Sequence, residues 1–249
     1  MPNFPTPSFL DNYLQNSFYL KQHLQEFLNL EPEILDNKLI NKREEIQDLG
    51  HKDFDWEQVN AFYSEKVGEL YLFELGAWHL ESHEYIGDTL RLIADHAQGI
   101  VLDFGGGIGT HTIGAAMSPN VKQVIYCDLN PVNLDFVKYR AKKMGLLHKI
   151  TCYQKMPAQE QEVFDTILCF DVLEHLPEPS QQLLKFHQAL TAQGKIIMNW
   201  YFFKGFNYEF PFHLDDPKVI DRFFGTLQNK LLEVFHPYLI TARCYRKHN

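Results

Sequence analysis

The chain has few cysteines and lacks any long apolar run, and both absences limit what it can be. Its 249 residues include 4 cysteines, at positions 127, 152, 169 and 244, far apart along the chain. This spacing fits neither a zinc ribbon nor a disulfide framework, so they are interpreted as thiols of a reducing compartment. No apolar run approaches the roughly 18 residues of a membrane span, and the N-terminus lacks the pattern of a signal peptide. A cytoplasmic protein without membrane contact is therefore expected.

Basic residues are also fewer than acidic ones. The chain carries 23 Lys and Arg against 32 Asp and Glu, for a net charge of -9. This balance repels a phosphate backbone, so no nucleic-acid partner is predicted. In contrast, 20 Phe and 12 Tyr favour either an aromatic-rich core or a pocket for a flat, apolar small molecule.

The chain divides into two parts with different patterns, residues 1–94 and 95–249. The first part is predicted to be a helical extension. One helix spans 9–30 and ends at Glu31-Pro32, a second ends at Gly50, and a capping box of Asp55 and Gln58 begins a third. Two more helices are predicted over 69–80 and 84–97.

From residue 99, short β-rich runs alternate with helical ones. This pattern predicts an α/β fold with a doubly wound, mostly parallel, seven-stranded sheet of Rossmann-like type. The helix beginning at Pro179 is expected to end at Gly194, just before a strand. The last two strands are expected to form an antiparallel hairpin, with only His236 and Pro237 between them.

The stretch VLDFGGGIGT, residues 101–110, is the most informative motif. It is not a dinucleotide fingerprint, because threonine stands at the third glycine position, and no Gly-Lys-Ser/Thr triplet marks a P-loop. The remaining pattern joins Asp103 to Gly105, Gly107 and Gly109. A carboxylate here opposes a pyrophosphate and favours a cationic ligand without phosphate, such as S-adenosylmethionine. Asp128, which ends the second predicted strand, suits ribose hydroxyls.

These landmarks together resemble the class I S-adenosylmethionine-dependent methyltransferases. The resemblance runs from about residue 95 to the C-terminus and includes FDTILCFDVLEHLPEP and GKIIMN after the first two motifs. It implies that cofactor contacts come from three segments, namely Asp103, Phe104, Gly105 and Gly107, then Asp128 and Leu129, then Phe170, Asp171 and Val172. Relatives often bind the adenine amino group with an acidic residue after the third strand, where this chain offers Gln154 or Gln159.

The sequence gives fewer signals for the residues that bind the methyl acceptor. The segment 199–217 is dense in aromatics and is interpreted as a substrate wall, with surface packing as the alternative. His213 stands where related small-molecule methyltransferases often place a histidine near the acceptor, so it is the candidate base. The plainer alternative is a histidine satisfied by Asp215 or Asp216. Expected substrate contacts are Trp78, His79, His175, Tyr201 and His213.

Two further clusters have alternative interpretations. Asp171, Glu174 and His175 resemble the metal-binding cluster of coenzyme Q-type and small-RNA methyltransferases, but the same letters shape a loop in members without metal. His79 and His83 lie four residues apart, yet Leu80 stands where a zinc protease needs glutamate. A hydrolytic zinc site is therefore not predicted.

The sequence thus predicts methyl transfer from S-adenosylmethionine to a small aromatic or apolar metabolite, with oxygen favoured over nitrogen as acceptor. Two alternatives stay open: a nicotinamide-dependent oxidoreductase, and a methyltransferase-like protein that binds without catalysis. The helical extension is expected either to cover the substrate as a lid or to form a homodimer interface. Tyr63 and Tyr71 lie on its amphipathic helices and point either into the site or into the core.

Overall fold

A seven-stranded mixed sheet forms the centre of the protein, in the order β3-β2-β1-β4-β5-β7-β6. The computed structural model describes residues 8–41, 61–158 and 163–248, so the features expected at Gly50, Asp55, Gln58 and Gln159 lie outside the described residues. The strands are β1 (Gly99–Phe104), β2 (Val121–Cys127), β3 (Ile150–Tyr153), β4 (Phe164–Cys169), β5 (Leu190–Met198), β6 (Leu231–Val234) and β7 (Arg243–Lys247).

The sheet is parallel except at its C-terminal end, which confirms the predicted fold class. β1 pairs in parallel with both β2 and β4, so Asp103 lies beside Tyr126 on one side and Leu168 on the other. β7 runs antiparallel to β5 and to β6. The strand order reverses beside β1, and ligands of open α/β sheets bind at such a point.

The helices cover both faces of this sheet and build the extension. They are α1 (Ser8–Asn16), α2 (Leu20–Leu28), α3 (Pro32–Ile40), α4 (Leu70–Glu81), α5 (His83–His96), α6 (Thr110–Met117), α7 (Pro131–Lys143), α8 (Pro179–Ala189) and α9 (Pro217–Lys230). Within the described part of the chain, none of them is both long and apolar enough to cross a membrane.

Two predicted boundaries near the C-terminal strands were wrong. The helix beginning at Pro179 ends at Ala189, and Gly194 lies inside β5. The strand starts early because Leu190 is fully buried and pairs with Phe164 of β4. The β6–β7 hairpin exists, but its connection runs from residue 235 to 242. The His236 ring closes this loop with a 3.0 Å hydrogen bond to the Ala242 carbonyl.

The single helix predicted over 9–30 is interrupted at Ser17, Phe18 and Tyr19, where φ is +51°, +54° and +57°. These left-handed residues insert Phe18 into the interior, fully buried, with its ring 5.2 Å from that of Tyr13. The Arg140 guanidinium donates to the Phe18 carbonyl at 3.4 Å. Tertiary packing therefore overrides the helical periodicity, because burying a large aromatic contributes more than the local strain costs.

The extension and the sheet share one hydrophobic core. Phe9, Leu10 and Tyr13 of α1 belong to the same buried cluster as Leu90 of α5 and Val101 of β1. Each fully buried side chain of this size stabilises the fold by about 1.5–3 kcal/mol. The extension is thereby fixed over the carboxyl ends of the strands, where its inner face meets the glycine loop.

Gly109, which begins α6, provides a test of this packing. Its φ is +74°, and a Cβ there would lie 2.5 Å from Val137 Cγ2. Gly109→Ala should therefore lower the free energy of unfolding by about 2–4 kcal/mol, from left-handed strain plus overpacking. Gly145 has φ +69°, and a Cβ there would meet no atom within 4 Å, so Gly145→Ala should cost only about 1 kcal/mol. Equal losses in urea unfolding would show that the Val137 contact is unimportant.

Candidate functional site

A cavity of about 1160 Å³ opens at the carboxyl ends of β1, β2 and β4. It is lined by the glycine loop, by the loops after β2, β3 and β4, and by side chains of the extension. The lining includes Tyr63, Tyr71, Leu75, Trp78, His79, Asp103, Phe104, Gly105, Gly107, His111, Asp128, Leu129, Gln154, Phe170, Asp171, Val172 and His175. All nine residues predicted to contact the cofactor therefore line one space.

The glycine loop has a conformation that requires glycine. Gly105 and Gly107 have φ values of +69° and +51°. The Gly105 N–H donates to the Cys127 carbonyl at 2.8 Å, which holds the loop against β2. A Cβ on Gly105 would lie 2.4 Å from Val172 Cγ2, so the backbone approaches the β4 loop too closely for any side chain. The loop thus presents bare backbone to the cavity.

Asp128 directly follows β2 and accepts hydrogen bonds from three donors. Its Oδ2 accepts from the Gly107 N–H at 2.9 Å, and Oδ1 accepts from the Asn130 N–H at 2.8 Å and from Asn133 Nδ2 at 3.2 Å. Burial nevertheless raises the pKa of Asp128 to about 6. Because a carboxylate oxygen accepts two hydrogen bonds, Oδ2 retains capacity for a ligand hydroxyl.

Asp103 lies beside it at the end of β1 and is 1% exposed. The Thr112 hydroxyl donates to its Oδ2. Burial and the neighbouring charge of Asp128 raise the pKa of Asp103 to about 7. Two neighbouring carboxylates in a poorly solvated wall are stabilised by a cation and destabilised by a phosphate. This pair of carboxylates therefore fits a nucleoside ligand that carries a positive charge and no phosphate.

Asp171 is held by an amide rather than by a cation. Its N–H donates to Asn199 Oδ1 at 2.6 Å, and Asn199 Nδ2 donates to Asp171 Oδ1 at 2.7 Å and to the Tyr85 hydroxyl at 3.0 Å. A second, smaller cavity of about 260 Å³ contacts Asp171, Trp78 and Tyr201. Asp171 and Trp78 line both cavities, whereas Tyr201 lines only the smaller one.

A cluster of three titratable side chains, Glu174, His175 and His213, follows Asp171 in the site. One ligand atom from each of Glu174, His175 and His213 lies within 4.8 Å of the others. Burial, followed by the charge of Asp171, raises the pKa of Glu174 to about 8. Its Oε2 has no hydrogen-bond partner among the described residues. The sequence left open whether Asp171, Glu174 and His175 bind a metal; among the described residues His213 rather than Asp171 completes the group with Glu174 and His175, and Asp171 is hydrogen-bonded to Asn199.

A backbone hydrogen bond next to His213 holds its loop against Glu174. The Leu214 N–H donates to the Glu174 carbonyl at 2.7 Å, which brings the loop to the cluster. His213 Nδ1 donates to the Tyr201 carbonyl at 2.9 Å, so Nε2 carries the lone pair. Asp215 and Asp216 instead bind Lys204 and cap α9. His213 packs against His175, with ring centroids 4.8 Å apart, and only His175 lines the larger cavity. The role of His213 as base stays a prediction.

Sequence reasoning left the orientation of the extension aromatics open. The structure places Tyr63 and Tyr71 in the cavity wall, and the Tyr63 hydroxyl lies 3.1 Å from His175 Nδ1. Burial raises the pKa of both tyrosines, so both stay protonated. His111 also lines the cavity and was missed entirely. Its only sequence signal is a position two residues after Gly109, at the start of α6.

The central part of the chain is similar to a known family. Residues 102–196 match the model of a family described as a methyltransferase domain. With the fold and the carboxylate pair, this match supports a class I S-adenosylmethionine-dependent methyltransferase domain. The match favours this class over the nicotinamide-dependent alternative.

Two curated relatives share the name ubiquinone biosynthesis O-methyltransferase. The protein from Idiomarina loihiensis is 29% identical over 116 residues, 44% of this chain and 47% of that protein. The protein from Histophilus somni is 30% identical over 127 residues, 47% of this chain and 52% of that protein. The chain thus matches about half the length of these relatives.

Two solved structures share the fold. A geranyl diphosphate methyltransferase, solved with GPP and sinefungin, superimposes with a TM-score of 0.54 at 12% identity, covering 72% of this chain and 82% of that one. A protein from Pyrococcus horikoshii OT3 gives 0.51 at 14% identity, covering 78% of this chain and 100% of that one. At these identities the likeness concerns the fold alone.

The buried Glu174 provides a test of the site's electrostatics. Its native pKa is about 8 against a usual 4.5, so the native state holds a proton that the unfolded chain has released. This contribution to stability is lost as pH rises towards 8. Between pH 6.5 and 8.0, in EDTA, the free energy of unfolding should fall by about 1–2 kcal/mol from this group. Glu174→Gln should remove that slope in urea titrations, and an unchanged slope would contradict the assignment.

Proposed function

We propose that the protein transfers a methyl group from S-adenosylmethionine to a small aromatic or apolar molecule, with oxygen favoured over nitrogen as the acceptor atom. When bound, S-adenosylmethionine supplies an electrophilic methyl group on a sulfonium. The observation that carries the proposal is that one cavity joins the Asp103–Asp128 carboxylate pair to His175 and to the extension aromatics. Such a reaction depends chiefly on positioning the acceptor atom.

The cofactor would occupy the end of the cavity formed by the glycine loop. Asp103 and the loop backbone would hold its cationic amino-acid portion, and the spare lone pair of Asp128 Oδ2 would accept from the ribose. Leu129, Phe170 and Val172 offer apolar contacts to the purine and the thioether chain. Gln154 is the polar side chain of the β3 loop available to the adenine.

The acceptor would lie under the extension. Tyr63, Tyr71 and Trp78 give this part of the wall an aromatic lining, which favours a planar or apolar acceptor. We propose that residues 1–94 act as the substrate-covering extension of a methyltransferase domain formed by residues 95–249. A homodimer interface is the alternative role for the extension. The net charge of -9 supports a small molecule over a nucleic acid.

Oxygen is favoured because of the group around His175. A hydroxyl acceptor must lose a proton, and His213 Nε2 carries a lone pair beside Glu174 and His175. The names of the two relatives point to the same acceptor atom. If a divalent cation binds, Glu174, His175 and His213 would hold it, since the unpartnered Glu174 Oε2 fits such a ligand set. The cation would lower the pKa of an acceptor hydroxyl.

Cofactor binding tests the first half of the proposal. Calorimetric titration should give micromolar binding of S-adenosylhomocysteine and no binding of NAD⁺. Asp128→Asn should weaken S-adenosylhomocysteine by about 10–100-fold, because a hydrogen bond to a charged group is lost. Asp135→Asn, which changes an exposed residue of α7 paired with Lys138, should have no effect. Binding of NAD⁺ alone would contradict the proposal.

Turnover tests the second half. With radiolabelled S-adenosylmethionine and a catechol such as 3,4-dihydroxybenzoate among a panel of phenols and amines, we expect transfer to a hydroxyl. His213→Asn should lower kcat by about 100-fold and change the Kd for S-adenosylhomocysteine less than threefold, whereas His148→Asn, at an exposed position, should change neither.

Loss of activity in EDTA and its return with Mg²⁺ would assign the cluster to a cation, and insensitivity to both would assign His213 to base catalysis alone. Cofactor binding without turnover on any acceptor would favour a non-catalytic relative.

A further inference from the structure

Two histidines in the cavity wall have no part in the chemistry described above. His79 comes from α4 of the extension and His111 from the first turn of α6. They are 7% and 6% exposed, their ring centroids are 5.8 Å apart, and both line the large cavity. They face the space from opposite sides of the boundary between the extension and the glycine loop.

The protonation of His111 is fixed by its neighbour. The Thr89 hydroxyl donates to the Ile86 carbonyl at 2.8 Å, so it accepts from His111 Nε2 at 2.9 Å. The remaining ring nitrogen, Nδ1, therefore carries a lone pair. Burial lowers the pKa of His111 to about 3, which keeps the ring neutral at physiological pH. His111 thus offers the cavity a hydrogen-bond acceptor.

His79 offers the complementary group. Its Nδ1 is buried without a hydrogen-bond partner among the described residues. Burial, then His111, then Arg140 lower its pKa, so this ring is neutral as well. A neutral imidazole has one N–H to donate, and no acceptor in the described wall uses it. An unpartnered buried donor is costly unless a ligand satisfies it.

Both rings are held in place by aromatic contacts. The His111 ring packs on Phe170 with centroids 4.3 Å apart, and the His79 ring meets the edge of Trp78 at 4.9 Å. Phe170 precedes the β4 loop, and Asp103 is joined to the turn after His111 through Thr112. The acceptor nitrogen, the carboxylate of Asp103 and the donor ring therefore converge on the glycine-loop end of the cavity.

We propose that His79 and His111 bind the zwitterionic amino-acid end of the cofactor, with His111 Nδ1 accepting from its ammonium group and His79 donating to its carboxylate. This rests on the proposed function, since it takes S-adenosylmethionine as the ligand. An ammonium group has three N–H donors, and Asp103 alone does not satisfy them. His79 is thereby assigned to the cofactor rather than to the acceptor.

Ligands that lack one charged group each provide the test. S-adenosylhomocysteine carries the whole amino-acid end, decarboxylated S-adenosylmethionine lacks the carboxylate, and 5′-methylthioadenosine lacks both groups. By calorimetry, His111→Phe should weaken S-adenosylhomocysteine and the decarboxylated ligand by about 10-fold. His79→Phe should weaken S-adenosylhomocysteine alone by a similar factor. Neither variant should change 5′-methylthioadenosine binding more than threefold.

Matched variants separate binding from damage to the fold. His83→Phe alters a half-buried ring four residues after His79, stacked on Tyr13, and should leave all three affinities unchanged. His111→Gln keeps an acceptor oxygen and should recover part of the loss, which covers the case in which His111→Phe does not fold.

Equal weakening of all three ligands would overturn the proposal and indicate a structural role. Unchanged affinities for all three ligands, together with a raised KM for the acceptor, would also overturn the proposal. That result would indicate that His79 and His111 contact the acceptor instead. Absence of S-adenosylhomocysteine binding in the unaltered protein would instead be a failure of the proposed function.

Discussion

Two neighbouring carboxylates, one buried at Asp103 and one half-buried at Asp128, are the constraint on which the rest of the site depends. Asp103 lies near the end of β1, and Asp128 directly follows the adjacent strand β2. Loss of solvation raises the pKa of each, and the charge of Asp128 raises that of Asp103 further. The protein tolerates them by surrounding them with donors from the glycine loop, Asn130, Asn133 and Thr112. Donors stabilise the charges without cancelling them, so the remaining negative charge favours a cationic ligand.

The glycine loop in turn is held by the extension. Arg140, fully buried in α7, donates to the carbonyls of Ile108 in the loop and Phe18 in the left-handed turn of the extension, at 2.7 and 3.4 Å. Asn130, beside Asp128, donates to the Gly68 carbonyl at 2.9 Å. Changes in the extension are therefore transmitted to the glycine loop and to Asp128 through these hydrogen bonds to backbone carbonyls. The two parts of the chain form one site.

The sequence predicted those parts of this arrangement that depend on local chemistry. The β-rich part was predicted to begin at residue 99, where β1 begins, and the glycine loop follows from a backbone conformation that glycine adopts most easily. The turn at Phe18 and the early start of β5 at Leu190 were not predictable, because both depend on which apolar side chain finds a tertiary neighbour. His111 was missed for the same reason: its role depends on Thr89, which lies 22 residues away in sequence.

The four histidines around the cavity form two pairs whose protonation is controlled differently. Thr89 fixes the tautomer of His111, and a backbone carbonyl fixes that of His213. Both devices leave a lone pair, and the second pair lies beside Glu174, whose pKa of about 8 is close to physiological pH. A small change in the surroundings of Glu174 therefore alters the charge beside the His175–His213 pair, whereas the His79–His111 pair stays neutral. That division suits a cavity in which one end holds a ligand of constant charge and the other end accepts a proton.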